Sequence, residues 1–304
     1  MLKHGFHYLP GTHSYRQFDL DNWLPRLALL KARWLVIQAP INRAIPEYFL
    51  TRLLSRQIEP VIHFANLPIG GRLLDDLQPL FEVYARWGIR YLCIYDRPNL
   101  QKNWPAQNWG QANLVETFLD QYLPVANASL QAGLTPIFPP LEPGGDYWDT
   151  AFLQAALQGL RRRRALPLLK KMMLGAYAYY QSQDLNWGAG GPERWPLVRP
   201  YSDNLATQDQ RGFRIFDWYL AIARATLGKS MPIFLFGMGA HPACPASQPE
   251  QARLNLQIVQ LLAGQTVDDC EGLPGEVIAG VFSQPLANEN QPGEIPAVLS
   301  ELAN

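Results

Sequence analysis

Eight short apolar runs recur along the 304 residues, separated by amphipathic segments, and this alternation limits the fold more than any other feature of the chain. The runs cover 5–9, 34–39, 59–64, 91–95, 135–138, 171–176, 233–236 and 277–282 and are dense in Ile, Val, Leu, Phe or Tyr with little polar alternation. Strands of this kind are apolar on both faces, as parallel strands covered by helices are. The segments 22–32, 46–57, 75–87, 111–131, 149–164, 208–227, 248–263 and 293–303 read as helices between them. Start signals support several: Asp75 and Asp149 precede apolar-periodic runs, and Pro249 sits in a first turn. Gly88, Gly133, Gly228 and Gly264 follow helices, where a left-handed residue closes the last turn. Pro10, Pro40, Pro68, Pro98, Pro139, Pro140 and Pro285 stand at strand exits, because proline cannot donate to a ladder. Eight β-then-α units with right-handed crossovers close into a single (β/α)8 TIM barrel, expected to span 1–304 as one domain. An open doubly wound sheet would need a Gly-rich phosphate turn after the first strand, and none is present.

Composition removes several function classes. Lys+Arg and Asp+Glu are both 26, so no global field attracts nucleic acid or an anionic membrane. No apolar run reaches bilayer length. Residues 1–5 run straight into the first strand and leave no room for a signal peptide, so the expected location is the cytoplasm, unless the chain is part of a longer secreted or anchored protein. Cys93, Cys244 and Cys270 are too widely spaced for a disulfide framework, and Cys93 reads as a small core residue. His7, His63 and His241 fall near strand ends and read as buried, hydrogen-bonded side chains; His4-x-x-His7 is not the tight His-x-His of metal-dependent hydrolases. Neither a metal nor a cofactor is expected. Arg161–Arg164, at a helix C-terminus, reads as a solvated face that complements the dipole.

Chemistry in such barrels sits where strands exit at their C-terminal ends. Three exits are long, 10–22, 98–110 and 181–207, and all are rich in Trp, Tyr, Asn and Gly. Residues 88–104 read Gly-Ile-Arg-Tyr-Leu-Cys-Ile-Tyr-Asp-Arg-Pro-Asn-Leu-Gln-Lys-Asn-Trp. This stretch resembles the fourth-strand motif of clan A glycoside hydrolases, (β/α)8 barrels in which an Asn-Glu-Pro sequence supplies the catalytic acid/base. The segment 140–149, Pro-Leu-Glu-Pro-Gly-Gly-Asp-Tyr-Trp-Asp, is similar to the Pro-Gly-Gly-Asp segment of some bacterial members. Residues 232–239, Pro-Ile-Phe-Leu-Phe-Gly-Met-Gly, resemble the seventh strand, where Thr-Glu-x-Gly usually follows the apolar run. On this resemblance Asp96 takes the Asn position, Arg97 the acid/base position and Gly237 the nucleophile position.

Glycoside hydrolysis needs two carboxyl groups, ~5 Å apart for retention and ~6.5–9.5 Å for inversion. Arginine does not release its proton near neutrality and glycine has no side chain, so the resemblance implies a barrel without the retaining pair. A degenerate carbohydrate-binding protein follows, its ligand a carbohydrate or an anionic sugar-like molecule. Asp96, Arg97, Asn99, Trp104, Tyr177, Tyr179 and Trp187 are the candidate ligand contacts. Arg97 has two readings: a structural salt bridge closing the strand end, or a bidentate anion clamp. Asn99 either caps its loop or meets a hydroxyl. The loop after strand six is either a sugar groove or a self-packed lid, with Glu193 and Arg194 read as a loop-internal ion pair. Glu142 is the carboxylate nearest a strand end, Asp146 reads as a turn residue and Asp149 as a helix N-cap. The alternative functions are an active glycosidase or lyase pairing Glu142 with Glu193 or Asp184, and a scaffold whose barrel mouth meets a protein partner.

Overall fold

The computed structural model describes residues 3–8, 15–71, 73–198, 209–283 and 296–303. Its strands are β1 (His4–Tyr8), β2 (Trp34–Gln38), β3 (Glu59–Phe64), β4 (Tyr91–Ile94), β5 (Thr135–Leu141), β6 (Met173–Tyr180), β7 (Ile233–Ala240) and β8 (Val277–Phe282). They pair in parallel and in chain order, and β8 returns to β1, so the sheet closes into the eight-stranded barrel that the sequence predicts. The α-helices are α1 (Gln17–Leu29), α2 (Glu47–Ser55), α3 (Leu74–Arg86), α4 (Ala106–Trp109), α5 (Leu114–Gln131), α6 (Asp149–Arg162), α7 (Leu166–Lys171), α8 (Ile215–Leu227) and α9 (Gln248–Leu262). The predicted helix over 293–303 is 3-10 in its described part, Ala297–Ala303. Among the described residues no helix is long and apolar enough to cross a membrane.

Two apolar layers explain why the strands lack polar alternation. Val36, Val61, Cys93, Ile137, Phe234, Phe236, Ala279 and Val281 pack inside the barrel. Their neighbours Leu35, Ile37, Ile62, Phe64, Leu92, Ile94, Phe138 and Leu235 turn outward against the helices. Successive side chains alternate faces, and here both faces are dry. The floor of the barrel is aromatic: Trp34 lies 5.2 Å from Tyr91 and 5.4 Å from Phe234, centroid to centroid. Burial pushes the Cys93 thiol up, and the cysteine fills this core as expected.

Two irregularities shape the C-terminal end. Pairing between β6 and β7 steps from Ala176–Leu235 to Tyr177–Gly237, so β7 carries one extra residue, Phe236. Both strands then run on to Tyr180 and Ala240, longer than their apolar runs suggested. At the β4 exit, Tyr95 (φ 69°) and Arg97 (φ 44°) both adopt left-handed backbone and flank Asp96. Non-glycine residues in this region store strain, of order 1 kcal/mol each. Surrounding bonds hold the turn. The Tyr95 N–H donates to Phe64 O (3.1 Å), the Arg97 N–H to Pro140 O (3.0 Å), and Asn103 Nδ2 to the carbonyls of Asp96 and Arg97 (2.9 Å each).

The expected N-cap role of Asp149 needs correction. Trp148 is the N-cap and Asp149 the first helical residue, with its carboxylate fully buried. It accepts from Gly144 N–H (3.0 Å) and from the Tyr219 hydroxyl (2.8 Å), which ties the β5 exit to α8. Burial pushes this carboxyl up, against those donors. Asp146 accepts from the Gln101 N–H (2.8 Å) and holds the β4 and β5 loops together.

Candidate ligand-binding site at the barrel mouth

A cavity of about 290 Å³ opens at the C-terminal end of the barrel. Its described wall comes from β1 (His7, Tyr8), β2 (Val36, Gln38), β3 and its exit (His63, Ala65, Asn66), the β4 exit (Asp96, Arg97), β6 (Tyr177, Tyr179) and Ser283 after β8. The size is near the lower end of small-molecule pockets.

The β4–β7 side is dominated by Arg97. Its Nε lies 2.7 Å from Glu142 Oε2 and its Nη1 3.6 Å from Asp96 Oδ2. Nη2 donates to the Tyr179 hydroxyl at 3.4 Å, and the guanidinium sits over the Tyr177 ring, 4.1 Å from its centroid. Tyr179 lies nearly parallel to Tyr177, centroids 5.5 Å apart. The Tyr177 hydroxyl donates to Asp96 Oδ1 at 2.6 Å. Burial opposes the guanidinium charge, but Tyr177, Asp96, Tyr179 and Glu142 together outweigh it and raise the pKa, so Arg97 stays cationic. The guanidinium is thus held by one hydrogen bond, two ion-pair contacts and a ring face, with Nε close to Glu142 but out of hydrogen-bond alignment with it.

Gly237 lies beneath these rings. A Cβ there would fall 2.5 Å from Tyr177 Cδ1, 2.6 Å from Ser283 Oγ and 2.9 Å from the Tyr179 hydroxyl oxygen. The two tyrosines fill the volume that a side chain at 237 would need, and this close approach is why only glycine fits.

The β1–β3 side is neutral. His7 Nε2 bonds to the carbonyl of Phe236, and His63 Nε2 to that of Tyr95 (3.0 Å). Burial, the largest influence on each ring, pushes the His7 imidazole down to about 4 and lowers that of His63, so both are uncharged at neutral pH. Their Nε2 atoms therefore donate to the carbonyls and their Nδ1 atoms are acceptors. Among the described residues no group of three His, Cys, Asp or Glu could hold a metal ion.

Four of the seven candidate ligand contacts, Asp96, Arg97, Tyr177 and Tyr179, meet at this cavity. The other three do not line it. Asn99 is fully buried, donates to the carbonyls of Glu142 (2.8 Å) and Tyr147 (3.0 Å), and accepts from the Glu142 N–H (2.9 Å), pinning the β4 loop to the β5 loop. The Trp104 indole donates to Pro98 O (2.7 Å) and packs on Trp109. The Trp187 indole donates to Asp209 O (2.7 Å) and packs on Trp195, 4.8 Å between centroids, so the described part of the long loop after β6 is self-packed. Arg194 pairs not with Glu193 but with Glu271, at 2.6 Å. Glu142 meets neither Glu193, which is exposed on a 3-10 turn, nor Asp184, which lines a separate recess of about 730 Å³. Its carboxylate partner across the guanidinium is Asp96. Sequence reasoning missed Gln38, Asn66 and Ser283, and read His7 and His63 only as structural. The usable signal was position, since each stands at or just beyond a strand C-terminus.

No protein-family model matches the chain, and no curated protein sequence does. Solved structures do match. A GH128 (subgroup II) endo-beta-1,3-glucanase from Sorangium cellulosum superposes with a TM-score of 0.53 at 16% identity, covering 99% of this chain and 97% of its own. A monomeric beta-xylosidase from Caulobacter crescentus CB15 gives 0.54 at 12% identity, over 99% of this chain and 67% of the xylosidase. An L-ribulose 3-epimerase gives 0.50 at 11% identity, over 99% and 86%. Likeness at such low identity speaks to fold and not to chemistry. In fold, the chain is a (β/α)8 barrel similar to that of the glucanase and the xylosidase.

Proposed function

We propose that the protein binds carbohydrate in the mouth of the barrel and does not catalyse retaining glycoside hydrolysis at its β4 and β7 positions. The observation that carries this is the placement of Arg97: a cation held between Glu142 and Asp96 and laid on Tyr177, where the clan A resemblance puts a proton donor. Gly237, at the position of the nucleophile in that resemblance, lies under tyrosine rings and provides no carboxylate. Asp96 and Glu142 both lie against the Arg97 guanidinium, a permanent cation that cannot supply the proton the retaining reaction needs. The polar groups on the opposite wall suit hydroxyl recognition. The fold likeness to a glucanase and a xylosidase supports a carbohydrate ligand without identifying it.

The test is direct: titrate the purified protein with a panel of neutral mono- and oligosaccharides, follow binding by ligand-observed NMR, and assay the same mixtures for new reducing ends. Binding with no reducing-end release is expected. Release of reducing ends that disappears in Glu142→Gln or Asp96→Asn would replace this reading with relocated catalysis.

A further inference from the structure

The charge and hydrogen-bond inventory of the cavity says more about the ligand than the fold does. Near it stand two carboxylates, Asp96 and Glu142, against one cation, Arg97, while His7 and His63 turn acceptor nitrogens away from their carbonyl partners. The guanidinium lies against Glu142 and Asp96, Nη2 donates to Tyr179, and its face rests on Tyr177. An incoming carboxylate would therefore meet a cation whose charge two carboxylates already offset, and it would add an acceptor-only group beside Asp96. A sugar hydroxyl brings a donor, which is what an acceptor-rich wall lacks. Tyr177 is 5% exposed and carries the guanidinium, so a stacking platform is a minor part of this recognition.

We infer that the cavity selects a non-acidic sugar ring and rejects its uronic acid counterpart, with Arg97 a positioning residue whose engagement by Glu142 and Asp96 sets the preference. This rests on the reading of the mouth as a carbohydrate site. Glu142 does not line the described cavity wall; it acts by holding Nε of Arg97 and contributing the second negative charge.

The experiment compares matched pairs on the full chain: methyl glucoside with glucuronate, methyl galactoside with galacturonate, methyl mannoside with mannuronate, by calorimetry or ligand-observed NMR. At least one neutral member is expected to bind, with its uronate weaker by about tenfold or more, since like charges brought together without compensation are strongly unfavourable. In Glu142→Gln a side chain of the same size still faces Nε while one negative charge is gone. The uronate penalty should then fall several-fold while the neutral sugar's affinity changes little, a split that general loosening of the site would not produce. A wild-type protein that binds a uronate as tightly as its neutral partner overturns the inference and leaves carbohydrate binding standing. A penalty unchanged in a folded Glu142→Gln protein overturns the role given to the Arg97 network. Failure of every pair to bind removes the carbohydrate reading itself, and this inference with it.

Discussion

The two sides of the barrel mouth solve opposite problems. On the β4–β7 side the polar groups engage one another: Arg97, Glu142, Asp96, Tyr177 and Tyr179 form one connected network over a glycine. On the β1–β3 side the histidines anchor to the backbone carbonyls of Phe236 on β7 and Tyr95 after β4, and the remaining polar groups face the cavity. A (β/α)8 barrel usually keeps reactive side chains at strand C-termini, so the side with the most charge would be the first guess for chemistry. The difference teaches that charge density alone is a poor guide. What matters is which donors and acceptors remain unused once the protein has bonded to itself.

This contrast can be broken most severely at its tightest point. Gly237→Glu forces a side chain into Tyr177, Ser283 and Tyr179 and buries a charge; the loss should be about 4 kcal/mol in urea denaturation, with no gain of hydrolytic activity. Arg97→Met keeps much of the bulk but strands Asp96 and Glu142 beside each other, and should cost about 3 kcal/mol by the same measurement. If Arg97→Met proves neutral, the β4–β7 network is decorative and the comparison fails.

The open side answers to acid. The His7 ring has a folded pKa of about 4 against 6.5 for the free side chain, so between these values the unfolded chain binds a proton that the fold refuses. Stability should therefore fall as pH drops through that window, by about 3 kcal/mol from His7. His7→Asn should remove that share of the pH dependence and leave the share of His63, and thermal melts across pH 4–7 would show it. The smallest effect on stability belongs to Asn66, exposed on the cavity rim. Asn66→Ala should change stability by less than ~0.5 kcal/mol while weakening sugar binding, which separates the recognising wall from the supporting one.

Much of the fold was legible because the barrel is built from local rules. β3 and β8 have the bounds their apolar runs predict, since each is a continuous run flanked by polar or turn residues. β6 and β7 were underestimated because the β6 extension is rich in Tyr and the β7 extension in Gly, composition that reads as loop unless the bulge is known. α7 was missed because Leu166–Lys171 lies between the Arg161–Arg164 run and the next strand, too short to show a period. The site was only partly legible for a different reason. Arg97 meets Glu142 from 45 positions away and Tyr179 from 82, and no local pattern records such partners. Asn99, by contrast, has a loop-pinning role that its short amide makes natural, and capping was already one of its two readings. Trp104 and Trp187 misled because aromatic residues serve packing and recognition with the same chemistry.

The glycine beneath the tyrosines also restricts where this sequence can go next. A carboxylate at 237 is excluded while Tyr177 and Tyr179 keep their places. A smaller residue at 177, introduced first, would remove the hydroxyl that Asp96 accepts from and the ring that Arg97 rests on. Either step taken alone destabilises the fold, and a side chain at 237 has room only once the ring at 177 is gone. The mouth is thus separated from a nucleophile-bearing variant by a gap at least two substitutions wide, which single-site mutagenesis would not cross.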